Sequence, residues 1–258
     1  MASEEINLME ASVKLVTTVK KERANFGGAA FLPNGDLLVA EQNKERLLLF
    51  ADDFFYLQEF KLPNKPYDIT IGPDGKIYIP MYKNKLLKCE IDGDDLNVID
   101  TFDVTASTYH SDVYKDQLIT SCSEYFKILD TNGKEVNSFR RSGGETAVAV
   151  SSTLGRFYHK NDHGELVGRK ISDGNEVFNF KHDSLSGVSG IALDCQENVY
   201  ATGFSSKNLV QVSKNRRKHR VLLPKFEKVT KPANILFHPK KNLFVVFAQS
   251  DDFDVYEF

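Results

Sequence analysis

One motif returns along this chain every ~40 residues, and no other feature narrows the possible folds so far. Gly28-Ala29-Ala30-Phe31-Leu32-Pro33-Asn34-Gly35-Asp36-Leu37-Leu38-Val39 aligns with Asp68-Ile69-Thr70-Ile71-Gly72-Pro73-Asp74-Gly75-Lys76-Ile77-Tyr78-Ile79. Each reads as an apolar strand, a tight Pro-Asx-Gly turn and a second strand. Weaker copies follow at Asp112–Thr120, Val148–His159, Ile191–Ala201 and Ile235–Val246, six in all. A repeat of this length built from short strands cannot bury both of its faces alone. It is the mark of a β-propeller, with one blade per repeat.

Six blades of about 43 residues account for the 258 residues as one domain over 12–258, with residues 1–11 expected to form a flexible end. The strand pattern fills four positions per blade. Blade one runs Ala29–Leu32, Asp36–Glu41, Leu47–Ala51 and Leu57–Leu62 from the channel outward. The last copy supplies three strands, ending at Asp254–Phe258, while Ser12–Val19 is strand-like and precedes the first inner strand. The N-terminal strand is therefore expected to complete blade six, hiding two edges that would otherwise template pairing.

A net charge of −3 gives no overall attraction to nucleic acid or to a membrane, so neither DNA nor membrane binding is expected and any such contact needs a local patch. The aromatic residues are 19 Phe and 10 Tyr with no Trp, which argues against Trp-Asp repeats. Cys89, Cys122 and Cys195 fall in three different blades with no CxxC pair, the usage of a reducing compartment rather than a disulfide framework. No N-glycosylation sequon, signal-peptide pattern or ~20-residue apolar run occurs, and the cytoplasm is the expected location.

Several segments carry a family resemblance. They are Pro66-Tyr67-Asp68-Ile69-Thr70-Ile71, Val188-Ser189-Gly190-Ile191-Ala192-Leu193-Asp194, Asn198 through Val212, and Lys218-His219-Arg220-Val221-Leu222-Leu223. Together they resemble the NHL-like six-bladed propeller at the C-terminus of tripartite-motif (TRIM) ubiquitin ligases, from about Val13 onward. The resemblance implies a recognition module for protein substrates or single-stranded RNA. The ligase activity of such proteins resides in a RING finger, whose Cys/His zinc framework these three scattered cysteines cannot supply. No ubiquitin transfer by this chain alone is expected.

Blade alignment puts Gly28, Asp68, His110, Ala147, Gly190 and Asn234 at one position ahead of each inner strand, ringing the channel mouth. One residue earlier stand Gly27, Tyr67, Tyr109, Thr146, Ser189 and Ala233. Asp68, His110 and Asn234 could converge on a cation, as ligands do in six-bladed lactonases of the regucalcin type. Glycine or alanine fills half the ring, however, and no metal or other cofactor is expected. Nothing resembles a GxSxG elbow, a local Cys-His pair or HExxH.

Charge placement is more informative. Inter-blade connections share a face with the loops joining second and third strands, and this face collects Lys44, Arg46, Lys65, Lys85, Arg140, Arg141, Lys160, Lys181, Lys207 and Lys231. Glu45, Glu124, Glu145, Asp162 and Glu165 dilute it. The densest basic run, Arg216-Arg217-Lys218-His219-Arg220, falls on the opposite face and reads as a solvated hairpin tip. The expectation is a non-catalytic module that binds a protein through Tyr67, Tyr109, Arg140, Arg141, Lys160, Lys207 and Lys231. Single-stranded RNA held by cations and stacked on Tyr67, Tyr109 and Tyr125 is the alternative, and a metal-dependent lactonase the second. Oligomerisation through this domain is not expected.

Overall fold

In the computed structural model, which describes residues 7–21, 24–104, 108–141, 147–248 and 252–258, the strands form six four-stranded antiparallel sheets. Five sheets take their strands in chain order. The sixth places Pro232–Phe237, Leu243–Ala248 and Asp252–Glu257 from the inside outward and adds Lys14–Lys20 as its outermost strand. Lys20 lies opposite Asp252 and Lys14 opposite Glu257, so the first and last strands zip together and close the ring. Thr18 Oγ1 donates to the buried Asp254 Oδ1 at 2.7 Å across that seam. The fold is an all-β six-bladed propeller.

The second strands explain why the repeat reads as continuous apolar runs instead of alternating ones. Leu37, Leu38, Val39 and Ala40 are all fully buried. Successive side chains of a strand point to opposite faces. Leu37 and Val39 accordingly pack with Val245 and Phe247 of blade six, whereas Leu38 and Ala40 pack with Ile77 and Ile79 of blade two. Each blade thus belongs to two cores. The outermost strands need no such covering, and Glu135–Arg140 is mostly exposed. Every pairing of third and outermost strands carries a β-bulge, which twists these open edges away from flat pairing.

Polar staples join neighbouring blades around the channel. Gly28 N–H donates to Tyr67 O at 2.9 Å, Ser111 N–H to Asp68 Oδ2 at 3.1 Å, Val150 N–H to Asp112 Oδ2 at 2.7 Å, and Ser189 Oγ–H to Pro232 O at 2.6 Å. On the opposite face His238 Nε2 meets Asp52 Oδ1 at 2.7 Å, tying blade six to blade one.

The N-terminal segment departs from the expected flexible end. Residues 1–6 lie outside the described residues, but residues 7–11 form a turn docked on blade five, with Leu8 buried. No helix among the described residues is long and apolar enough to cross a membrane.

Candidate functional site

The six innermost strands are Phe26–Phe31, Thr70–Ile71, Thr108–Tyr114, Ala149–Ser151, Val188–Leu193 and Pro232–Phe237. They surround a central channel of about 360 Å³. Just ahead of the regular pairing, blades one, three, five and six break register at the mouth, between Phe26 and Ala29, Thr108 and His110, Val188 and Ile191, and Pro232 and Asn234. Such bulges re-aim side chains. They put the aligned ring positions at the rim, while Thr146 and Glu145 lie outside the described residues.

Asp68, His110 and Asn234 all line this channel, yet each already engages a structural partner. Asp68 accepts from the backbone of Ser111 and stands 3.3 Å from His110 Nδ1. Its carboxylate fills the space that a side chain on Gly28 would occupy, with Oδ1 only 1.4 Å from the position of a Cβ there. Glycine at that ring position is therefore a steric requirement of its neighbour. Asn234 Oδ1 accepts from Ile235 N–H at 2.8 Å. Among the described residues no group of three or more His, Cys, Asp or Glu could hold a metal ion.

The channel group that the sequence reading missed is Asp112. It occupies the inner-strand position filled by Ala30, Thr70, Ala149, Ala192 and Leu236 in the other blades, so the blade alignment itself holds the signal. It is half-buried and lines the channel. Burial pushes its carboxyl up to about 6, against the pull of two N–H donors, Val113 and Val150.

Around the mouth, the face with the inter-blade loops carries a set of five aromatic residues. Tyr67 and Tyr109 meet edge to face at 5.4 Å between centroids, and Lys65 Nζ lies 5.4 Å from the Tyr67 ring. Tyr82 (48% exposed), Tyr125 (38%) and Phe204 (39%) stand in or beside the loops joining second and third strands. Tyr82 and Phe204 escaped notice because the repeat alignment follows strands and passes over loops. Arg140, Lys207 and Lys231 are exposed on this face, and Lys160 is half-buried with its carbonyl 2.8 Å from His159 Nδ1.

Arg141 corrects the expectation. It is buried, its Nη1 donates to Cys122 O at 3.0 Å, and its guanidinium lies 5.2 Å from the Phe126 centroid. A backbone acceptor and a ring face draw it inward, so it is no surface contact. His159 is buried beside the same ring at 4.5 Å, and burial, with Arg169 and Arg141 nearby, depresses its pKa to about 3. Ion pairs also break the expected basic ring. Lys44 and Arg46 both engage the buried Glu41, Lys85 lies 2.5 Å from Asp103, and Lys181 lies 2.8 Å from Glu165.

No protein-family model matches this sequence, and no curated protein matches it. Among solved structures the chain is similar to selenomethionine-substituted virginiamycin B lyase from Staphylococcus aureus. The TM-score is 0.69 at 10% identity, covering 96% of this chain and 100% of that one. At this identity the likeness is one of fold.

Proposed function

We propose that this chain is a non-catalytic recognition module that binds a protein partner or substrate through the face bearing the inter-blade loops. One observation carries the reading: Tyr82, Tyr125 and Phe204 stay accessible on that face, around the Tyr67–Tyr109 pair and among Arg140, Lys207 and Lys231. Aromatic side chains on a rigid platform bring large contact area at little entropic cost, and tyrosine and arginine dominate binding hot spots. The finer assignment, an NHL-like substrate-binding propeller of a TRIM-type ubiquitin ligase, rests on the sequence resemblance.

Crosslinking and affinity capture test the reading with three proteins: the parent, a Tyr82→Ala/Tyr125→Ala variant, and an opposite-face control, Phe55→Ala. A partner retained by parent and control but lost by the double variant is the expected result. Equal capture by all three removes this face. A gel shift with uridine-rich single-stranded RNA at two salt concentrations separates the alternative. RNA affinity that falls steeply with salt and disappears in the double variant would replace the protein reading. A divalent ion near one per purified chain would count against a non-catalytic role.

A further inference from the structure

On the opposite face, residues 7–11 are held on blade five as a ligand is held. Leu8 is only 4% exposed. Both polar groups of its backbone are read by side chains. Its N–H donates to Gln196 Oε1 at 3.3 Å, and its carbonyl accepts from Gln211 Nε2 at 3.0 Å and Arg220 Nη2 at 2.7 Å. The same Arg220 nitrogen reaches Ala11 O at 2.7 Å. Glu10 and Ala11 N–H groups turn back onto Asn7 O at 2.9 and 3.0 Å, so the segment presents a compact turn.

The receiving side is braced by polar groups of blade five. Arg220 Nε donates to Gln211 Oε1 at 2.7 Å, which fixes which end of that buried amide faces Leu8. Gln211 Nε2 also donates to Tyr200 O–H at 2.5 Å, and that hydroxyl donates to the buried Asp194 Oδ2 at 2.9 Å. Such a chain of buried polar groups holds the notch in one geometry. Its rim is the hairpin that carries the basic run, where Arg216, Arg217 and Lys218 are exposed and Lys218 Nζ lies 4.0 Å from Glu10 Oε1.

We propose that this notch is a docking site for a short peptide with a leucine two residues ahead of an acidic side chain, filled in this chain by its own Leu8-Met9-Glu10. Gln196, Gln211 and Arg220 contact backbone atoms, which any sequence offers. Burial of Leu8 selects an apolar residue, and Lys218, 4.0 Å from Glu10, favours an acid two residues on. A partner bearing such a segment competes with the N-terminus, whose effective concentration through a short tether is on the order of mM. Lys218 and Arg220, part of a basic run that reads from sequence as a solvated tip, thereby gain a role.

The test uses the full chain and a fluorescein-labelled peptide of residues 6–12. Leu8→Asp in the protein puts a carboxylate where the leucine is buried and empties the notch. Fluorescence anisotropy should show the peptide binding this variant at least tenfold more tightly than the parent, and Arg220→Ala added to it should return binding to the parent level. Equal affinity for parent and Leu8→Asp, or binding indifferent to Arg220→Ala, overturns the proposal. If Leu8→Asp does not fold, hydrogen exchange on the single variant Arg220→Ala decides. Amides 8–11 should exchange at least tenfold faster while the blade-five strands keep their protection, and unchanged protection at 8–11 overturns it. A parent dimer that dissociates on Arg220→Ala would assign the notch to a second copy's N-terminus and sink the partner assignment.

Discussion

Two ionisable groups in neighbouring blades, His159 buried and Asp112 half-buried on the channel wall, answer acid in opposite directions, and single substitutions should expose both. His159 sits at about 3 in the fold against an ordinary 6.5. Its folded pKa is the lower one, so its contribution to stability is present above 6.5 and is lost as pH falls toward 3. Between pH 7 and pH 4 linkage puts that loss at about 3 kcal/mol. Asp112 sits at about 6 against an ordinary 3.8. Its folded pKa is the higher one, so its contribution is complete below 3.8 and is lost as pH rises through 6. Going from pH 7 to pH 4 it returns about 2 kcal/mol. In the parent the two nearly cancel. Urea denaturation at both pH values, taken as variant minus parent, removes every other titrating group. On acidification the difference should rise by about 3 kcal/mol for His159→Phe and fall by about 2 kcal/mol for Asp112→Asn. A flat difference for either variant, or slopes of the same sign, would refute the reasoning that burial sets both groups.

Other perturbations probe the ring itself. A Cβ on Gly190 would lie 2.7 Å from the backbone of Asn234 in the next blade, so Gly190→Ala should cost about 1–3 kcal/mol in chemical denaturation. A variant as stable as the parent would mean the two blades are not in such close contact. Deleting residues 1–20 uncovers the edge of Asp252–Glu257, and the shortened chain should melt earlier and self-associate in light scattering. An unchanged monomer would show that the seam is dispensable. Cys195 is exposed, whereas Cys89 and Cys122 are buried and burial pushes the Cys89 thiol up to about 12. Ellman's reagent should therefore count one thiol per native chain and three after denaturation; two in the native protein would contradict the packing.

How much of this was legible in the sequence depends on where each residue stands relative to the repeat. The turns Pro33-Asn34-Gly35 and Pro73-Asp74-Gly75 recur because each blade must reverse at the same place, with Gly35 and Gly75 at positive φ of 107° and 72°. Closure was legible because the last copy lacks an outer strand and the first is preceded by a spare one. Asp112 was within reach, since it breaks an otherwise small or apolar column of the same alignment. Arg140 and Arg141 were not separable, because one remains in solvent and the other turns onto Phe126 and Cys122, partners that adjacency does not reveal. The N-terminal turn was also out of reach, for its hold comes from Gln211 and Arg220, some two hundred residues along the chain.

These misses share a physical cause. Periodicity is imposed by the two inter-blade cores, which every blade must satisfy with the same strand positions and turns. Recognition is under no such constraint, because a loop on one blade need match nothing on the next. Tyr82, Tyr125 and Phe204 sit on three such loops, and the peptide notch uses side chains of blade five that no other blade has to repeat. In a propeller, then, the residues that fix the architecture are those that agree across copies. The residues to test for binding are those that disagree and yet stay exposed, or are braced by a local polar network.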